Sequence, residues 1–259
     1  MSEAVKYVLE ASELHKWFGN VHAVNNVSLK LSRGEILSIV GPNGAGKTTL
    51  LNLLSGIVKP DKGRVYVYLN GDRKDITGRS PYYITFLGVG RSFQIPNIFD
   101  GLTVRDNIRL SILTYRRLIN RFNRAYSSFN DVEEEVEKII EIFSLEDSEY
   151  RYGRELSHGE RKKLDIALSF AQQPNILLLD EPTSGLTYSE KLEMVELIRS
   201  LRREREVSFI VVEHDLDVVR EVSDMLMVMH EGSVLAYDEP DEVVKMSEVI
   251  SAYLGGEVI

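Results

Sequence analysis

The residues best placed to do chemistry are Gly41-Pro42-Asn43-Gly44-Ala45-Gly46-Lys47-Thr48, followed by Thr49. The spacing G-x-x-x-x-G-K-[ST] lets backbone N–H groups of a glycine-rich turn curl around phosphate oxygens at the positive end of a helix. Lys47 adds a mobile point charge, and the Thr48 hydroxyl can ligate the Mg²⁺ that accompanies a nucleotide. A second group is Ile176-Leu177-Leu178-Leu179-Asp180-Glu181-Pro182, an apolar strand that ends in two acids. Beside a phosphate-binding loop, the first acid, Asp180, is expected to hold Mg²⁺ through water. The second, Glu181, is expected to polarise the attacking water as general base. Taken alone, Gln94 reads as a surface polar residue and His214 as a strand-end histidine.

The elements that must position these groups are short. Tyr7–Glu10, Val27–Leu31, Ile36–Val40 and Val65–Tyr68 are strand-like in the first part of the chain. Ile176–Leu179, Phe209–Val212, Met225–Met229 and Val234–Tyr237 are strand-like in the last. The early runs alternate, as half-buried antiparallel strands do. Ile36–Val40, Ile176–Leu179 and Phe209–Val212 are continuously apolar, as central parallel strands covered on both faces should be. Helical patterns at Lys47–Ser55 and Ser189–Glu206 separate them, which implies an α/β sheet with right-handed crossovers. From Val104 to Phe170 no strand is expected. Val132, Val136, Ile139, Ile140 and Phe143 share one helical face, and Glu160–Phe170 reads as a second helix. This middle third reads as a helical lobe inserted into the α/β domain.

Leu156-Ser157-His158-Gly159-Glu160-Arg161 opens that second helix, with Ser157 and Glu160 spaced as a capping box. The same six residues resemble the LSGGQ signature of ATP-binding-cassette (ABC) ATPases. The order of motifs agrees across nearly the whole chain: phosphate loop, glutamine loop at Gln94, signature at Ser157, the Asp180-Glu181 pair, histidine at His214. The chain departs from the pattern at His158 and Glu160, where the family has Gly and Gln. The resemblance implies a P-loop core with a mixed sheet and an antiparallel β subdomain (1–94 and 171–259) and a helical signature subdomain (95–170). It also implies that this chain and a second ABC ATPase subunit, in a homo- or heterodimer, close head to tail on ATP and Mg²⁺, with Ser157 and Gly159 of one chain facing the γ-phosphate held by the other. By position it implies that Phe18 stacks on adenine, with neighbouring Trp17 as the alternative. It implies that Gln94 contacts Mg²⁺ and the lytic water, and that His214 touches the γ-phosphate. Ser184-Gly185-Leu186-Thr187 corresponds to the loop that crosses the dimer. Thr187 stands where the family has Asp, and with Glu190 it reads as a helix cap.

Composition limits the partners. With 31 basic and 40 acidic residues in 259, a net charge of −9 and a pI near 5.2, nucleic acid is not the expected ligand. Zero cysteines exclude a disulfide scaffold, a thiolate metal site and a cysteine nucleophile. No apolar run approaches the ~20 residues that span a bilayer, and the N-terminus lacks the pattern of a signal peptide. The length fits one stand-alone cassette rather than a fused exporter, a tandem translation factor or a coiled-coil repair ATPase.

Finer resemblance is to the branched-chain amino-acid importer ATPases of the LivG/LivF type. It is carried by Gly88–Gln94, Phe99–Ile108, Glu213–Val219 and Ala252–Gly255. It implies a peripheral subunit on the cytoplasmic face of the cell membrane, with permease partners and an external solute-binding protein. Ile95, Pro96, Ile98, Phe99 and Leu102 would then form a docking groove for the permease, with Arg116, Arg117, Arg121 and Arg124 near the bilayer. The rival readings are a soluble ABC ATPase in cofactor assembly, a lipid-extraction ATPase and a non-hydrolysing ATP sensor.

Overall fold

In the computed structural model, which describes residues 6–117 and 130–254, the chain runs β1 (Tyr7–Phe18), β2 (Val21–Ser32), β3 (Ile36–Val40), α1 (Lys47–Leu54), β4 (Lys62–Leu69), β5 (Asp72–Asp75), α2 (Pro81–Phe86) and β6 (Val89–Arg91). Then come α3 (Val104–Tyr115), α4 (Asn130–Ile142), α5 (His158–Phe170), β7 (Ile176–Asp180), α6 (Tyr188–Arg205), β8 (Ser208–Val212) and α7 (Leu216–Val222). The last elements are β9 (Met225–His230), β10 (Ser233–Asp238), α8 (Pro240–Val243) and α9 (Ser247–Leu254). One sheet is antiparallel, in the order β2-β1-β4-β5. The other is mixed, β10-β9-β3-β8-β7-β6, with only β10 antiparallel.

Every residue of β3, β7 and β8 is buried, which explains their continuous apolar runs: both faces are covered. The period-two alternation of side chains assigns them to two cores. Ile36, Leu177, Leu179, Phe209 and Val211 pack with Ile108, Val136, Phe143 and Phe170 of the middle third. Leu37, Ile39, Leu178, Ile210 and Val212 pack with Leu50 and Leu53 of α1 and with Leu9 and Val67 of the antiparallel sheet. Each such Leu or Ile contributes about 1.5–3 kcal/mol by burial, so the strand ends that carry the acids and His214 sit on a rigid platform.

Between Val104 and Phe170 no strand occurs among the described residues; Thr103 and Tyr152 form one isolated bridge. The antiparallel strands are longer than the sequence pattern suggested. Register shifts in β1 between Ala11 and Leu14 and again before Trp17, with Glu13 at φ +49°, break the alternation that would have revealed them. The first two arginines expected near the bilayer have partners within the chain. Arg116 pairs with Asp131 and Glu135, and Arg117 lies 4.4 Å over the Phe86 ring. Arg121 and Arg124 lie outside the described residues.

Candidate functional site

The β3 strand delivers the glycine loop directly into α1, with Gly46 as the N-cap residue at φ +96°. A Cβ at Gly46 would stand 2.2 Å from the Ala23 carbonyl oxygen, so a side chain is excluded by both backbone conformation and space. Lys47 Nζ donates to the carbonyl oxygens of Gly41 at 2.6 Å and Pro42 at 3.1 Å. Burial lowers the Lys47 ammonium below the ordinary lysine value, and Glu181 and Asp180 oppose that shift.

A cavity of ≈ 440 Å³ opens over the loop. Asn43, Gly44, Ala45, Gly46, Lys47, Thr48, Thr49, Gln94 and Glu181 all border it. Asp180 lies beneath, 3.5 Å from Thr48 Oγ1. Glu181 leaves β7 at φ +51°, a conformation that costs about 1–3 kcal/mol in a non-glycine residue. Its carboxylate is flanked on one side by Gln94 Nε2 at 2.9 Å and on the other by His214 Nε2 at 2.5 Å. The structure therefore brings together residues separated by as many as 173 positions in the chain (from Gly41 to His214). A carboxylate held between an amide donor and an imidazole, facing a cradle of backbone N–H groups, can take a proton from water beside a bound phosphate.

Phe18, Ser157 and Gly159 do not border this cavity. Phe18 is 50% exposed, with Lys16 Nζ 5.5 Å from its ring. Trp17 beside it is half-buried: its ring stacks 4.1 Å from His22 and 5.4 Å from His15, and those two imidazoles bond each other at 3.1 Å. Ser157 caps α5, accepting from the Glu160 N–H while Glu160 accepts from the Ser157 N–H at 2.7 Å. Thr187 and Glu190 cap α6 in the same way. Gly159 is buried against Glu190, whose Oε1 lies 2.9 Å from where a Cβ would be.

Two buried charges that sequence reasoning passed over belong to the site. Arg91 Nη2 pairs with Asp180 Oδ2 at 3.3 Å, with both side chains less than 10% exposed, and Arg91 Nη1 donates to Ser55 Oγ at the end of α1. Burial raises the Asp180 carboxyl above the usual carboxylate range, Arg91 pulls it back and Glu181 adds to the rise. Asp165 on α5 accepts the N–H of Phe93 at 3.0 Å and of Asn97 at 2.8 Å, and so holds both flanks of Gln94. No local signal marked either one: the partner of Arg91 lies 89 positions away and that of Asp165 lies 72.

The ABC transporter family pattern matches residues 24–184. This chain belongs to the ABC transporter ATP-binding family. The cassette is 36% identical over 256 residues to the high-affinity branched-chain amino acid transport ATP-binding protein LivG of Salmonella typhimurium, covering 96% of this chain and 98% of that one. It is 34% identical over 255 residues to BraF of Pseudomonas aeruginosa, described in the same terms. Among solved structures, the ADP conformation of the ATP-binding cassette MJ1267 superposes with a TM-score of 0.81 at 30% identity, covering 96% and 99% of the two chains. The dimeric cassette MJ0796 superposes at 0.76 and 25% identity, covering 90% of this chain and 98% of that one. The cassette is thus an ABC ATPase of P-loop fold that takes a nucleotide, and relatives of the same fold form dimers.

Proposed function

We propose that this cassette is the ATP-hydrolysing subunit of an importer for branched-chain or related amino acids. It would work as a head-to-tail pair on the cytoplasmic face of a membrane, beneath a permease fed by an external solute-binding protein. The names and near-complete coverage of LivG and BraF support the solute class. Among the described residues no helix is long and apolar enough to cross a membrane, so on this reading the solute path belongs to partner chains. A groove of ≈ 310 Å³ bordered by Phe93, Asn97, Phe99, Leu110, Leu168 and Gln172 supports a permease contact next to Gln94. Its lining differs from the sequence expectation. Of Ile95, Pro96, Ile98, Phe99 and Leu102, only Phe99 borders it; Ile98 packs into the core and Ile95 projects at 83% exposure.

The residues divide the chemistry as follows. Lys47 exchanges its loop carbonyl partners for phosphate oxygens while the N–H groups of Asn43 to Thr49 surround them. Phe18 presents its exposed ring to adenine. The oxygen donors of Thr48, Gln94 and Asp180 suit a hard divalent ion, and Mg²⁺ held there would neutralise phosphate charge. Glu181 takes the proton of the attacking water, Gln94 orients that carboxylate, and His214 touches the γ-phosphate. Ser157 and Gly159 at the capped start of α5 close on the phosphate held by a second copy.

The observation that carries this reading is Glu181: backbone strain and a two-sided clamp on one carboxylate mark a group held for reaction. Glu181→Gln protein given Mg·ATP should retain the nucleotide and double its mass in solution by light scattering. A monomer without ATP would refute the sandwich.

A further inference from the structure

On α5, four polar side chains spaced 4, 3 and 4 residues apart form one helical stripe: His158, Lys162, Asp165 and Ser169. Each bonds a segment that builds the ATP site of the same chain. His158 Nε2 lies 3.2 Å from the Ser184 carbonyl oxygen. Lys162 Nζ donates to the Glu181 carbonyl oxygen at 2.5 Å and to Ser184 Oγ at 2.8 Å. Asp165 holds the N–H groups on both sides of Gln94, and Ser169 Oγ donates to the Arg91 carbonyl oxygen at 2.7 Å.

Lys162 is the informative member. It is 4% exposed, and a lysine without a task there would extend its ammonium to water. Glu213, Glu181, Asp165 and Asp180 surround it and offset the cost of burial. Yet among the described residues none of them forms an ion pair with it; its donor bonds go to the turn that follows β7. The Glu181 backbone depends on that turn. With φ at +51°, Glu181 is held by its N–H to the Val212 oxygen at 2.9 Å and by its carbonyl oxygen, which also accepts from the Ser184 N–H. A strained residue persists only where its surroundings over-determine it.

We propose that Lys162 is a positioning residue for hydrolysis, fixing Glu181 through its main-chain oxygen. The α5 stripe would thereby move the Glu181 turn and the Gln94 loop together with the signature at the helix start. This rests on the reading of Glu181 as general base. One helix would then set the catalytic carboxylate of its own ATP site and the phosphate-facing end offered to the second copy.

The test is a double-mutant cycle in kcat on the full chain, with Lys162→Met and Glu181→Gln alone and combined, and with ATP KM and thermal unfolding recorded for each. Lys162→Met should lower kcat by about tenfold or more, since small displacements of a catalytic group are costly, with ATP KM changed less than about twofold. In the Glu181→Gln background the same substitution should change the residual rate by less than about twofold. Lys162→Arg, which keeps donors for both oxygens, should recover most of the loss. If Lys162→Met does not fold, Lys162→Gln takes its place in the cycle. Equal loss in both backgrounds, or a rise in KM matching the fall in kcat, overturns the proposal. Full hydrolysis by Lys162→Met beside an inactive Glu181→Gln overturns it alone, whereas full hydrolysis by Glu181→Gln overturns the general-base reading and the proposal with it.

Discussion

Asp165→Asn isolates one buried charge. Asp165 is 5% exposed, and burial pushes its carboxyl up to about 6 from 3.8, against the two backbone N–H bonds and Lys162. A carboxyl with a raised folded value stabilises the fold fully below its unfolded value. That contribution is lost as pH rises through the folded value, because the native state holds the proton longer. The window therefore runs from about 3.8 to about 6. A difference of about two units at ~1.4 kcal/mol each gives about 3 kcal/mol in all, with about 2 kcal/mol of it falling between pH 4 and 7. Asn cannot titrate, so the stability difference between parent and variant should move by about 2 kcal/mol in favour of Asp165→Asn as pH rises from 4 to 7. Urea unfolding of both proteins across that range measures it, and the other carboxylates cancel in the comparison. Parallel curves, within about 0.5 kcal/mol, would refute the placement of a desolvated carboxyl under the Gln94 loop.

Two further outcomes follow from the cradle and the aromatic edge. Gly46→Ala should cost about 1–3 kcal/mol in denaturant unfolding and abolish ATP binding by calorimetry, because its Cβ would meet the Ala23 oxygen; wild-type binding would show that the loop is not the cradle. Phe18→Ala should raise ATP KM several-fold with kcat kept, as loss of uniform binding does. An unchanged KM would return the stacking role to Trp17.

What was legible in the sequence was local. The glycine loop, the Ser157–Glu160 and Thr187–Glu190 capping boxes and the fully apolar β3, β7 and β8 are each set by neighbours in the chain. The physics of turns, caps and burial acts over the same few residues. Arg91, Lys162 and Asp165 were not legible, since a lone charge reads as surface until its partner 89, 19 or 72 positions away is known. The bulges of β1 hid most of its length, and β6, three residues including a glycine, offers too little pattern to recognise.

The central claim is that each ATP site is built from two chains, and mixing inactive variants tests it most directly. Lys47→Ala destroys the phosphate loop and Ser157→Arg blocks the signature, so neither should hydrolyse ATP alone. In a two-fold pair the mixed dimer keeps one intact loop facing one intact signature. An equimolar mixture should therefore recover about a quarter of the parent rate. A mixture as inactive as its components, or hydrolysis by either variant alone, would contradict the account.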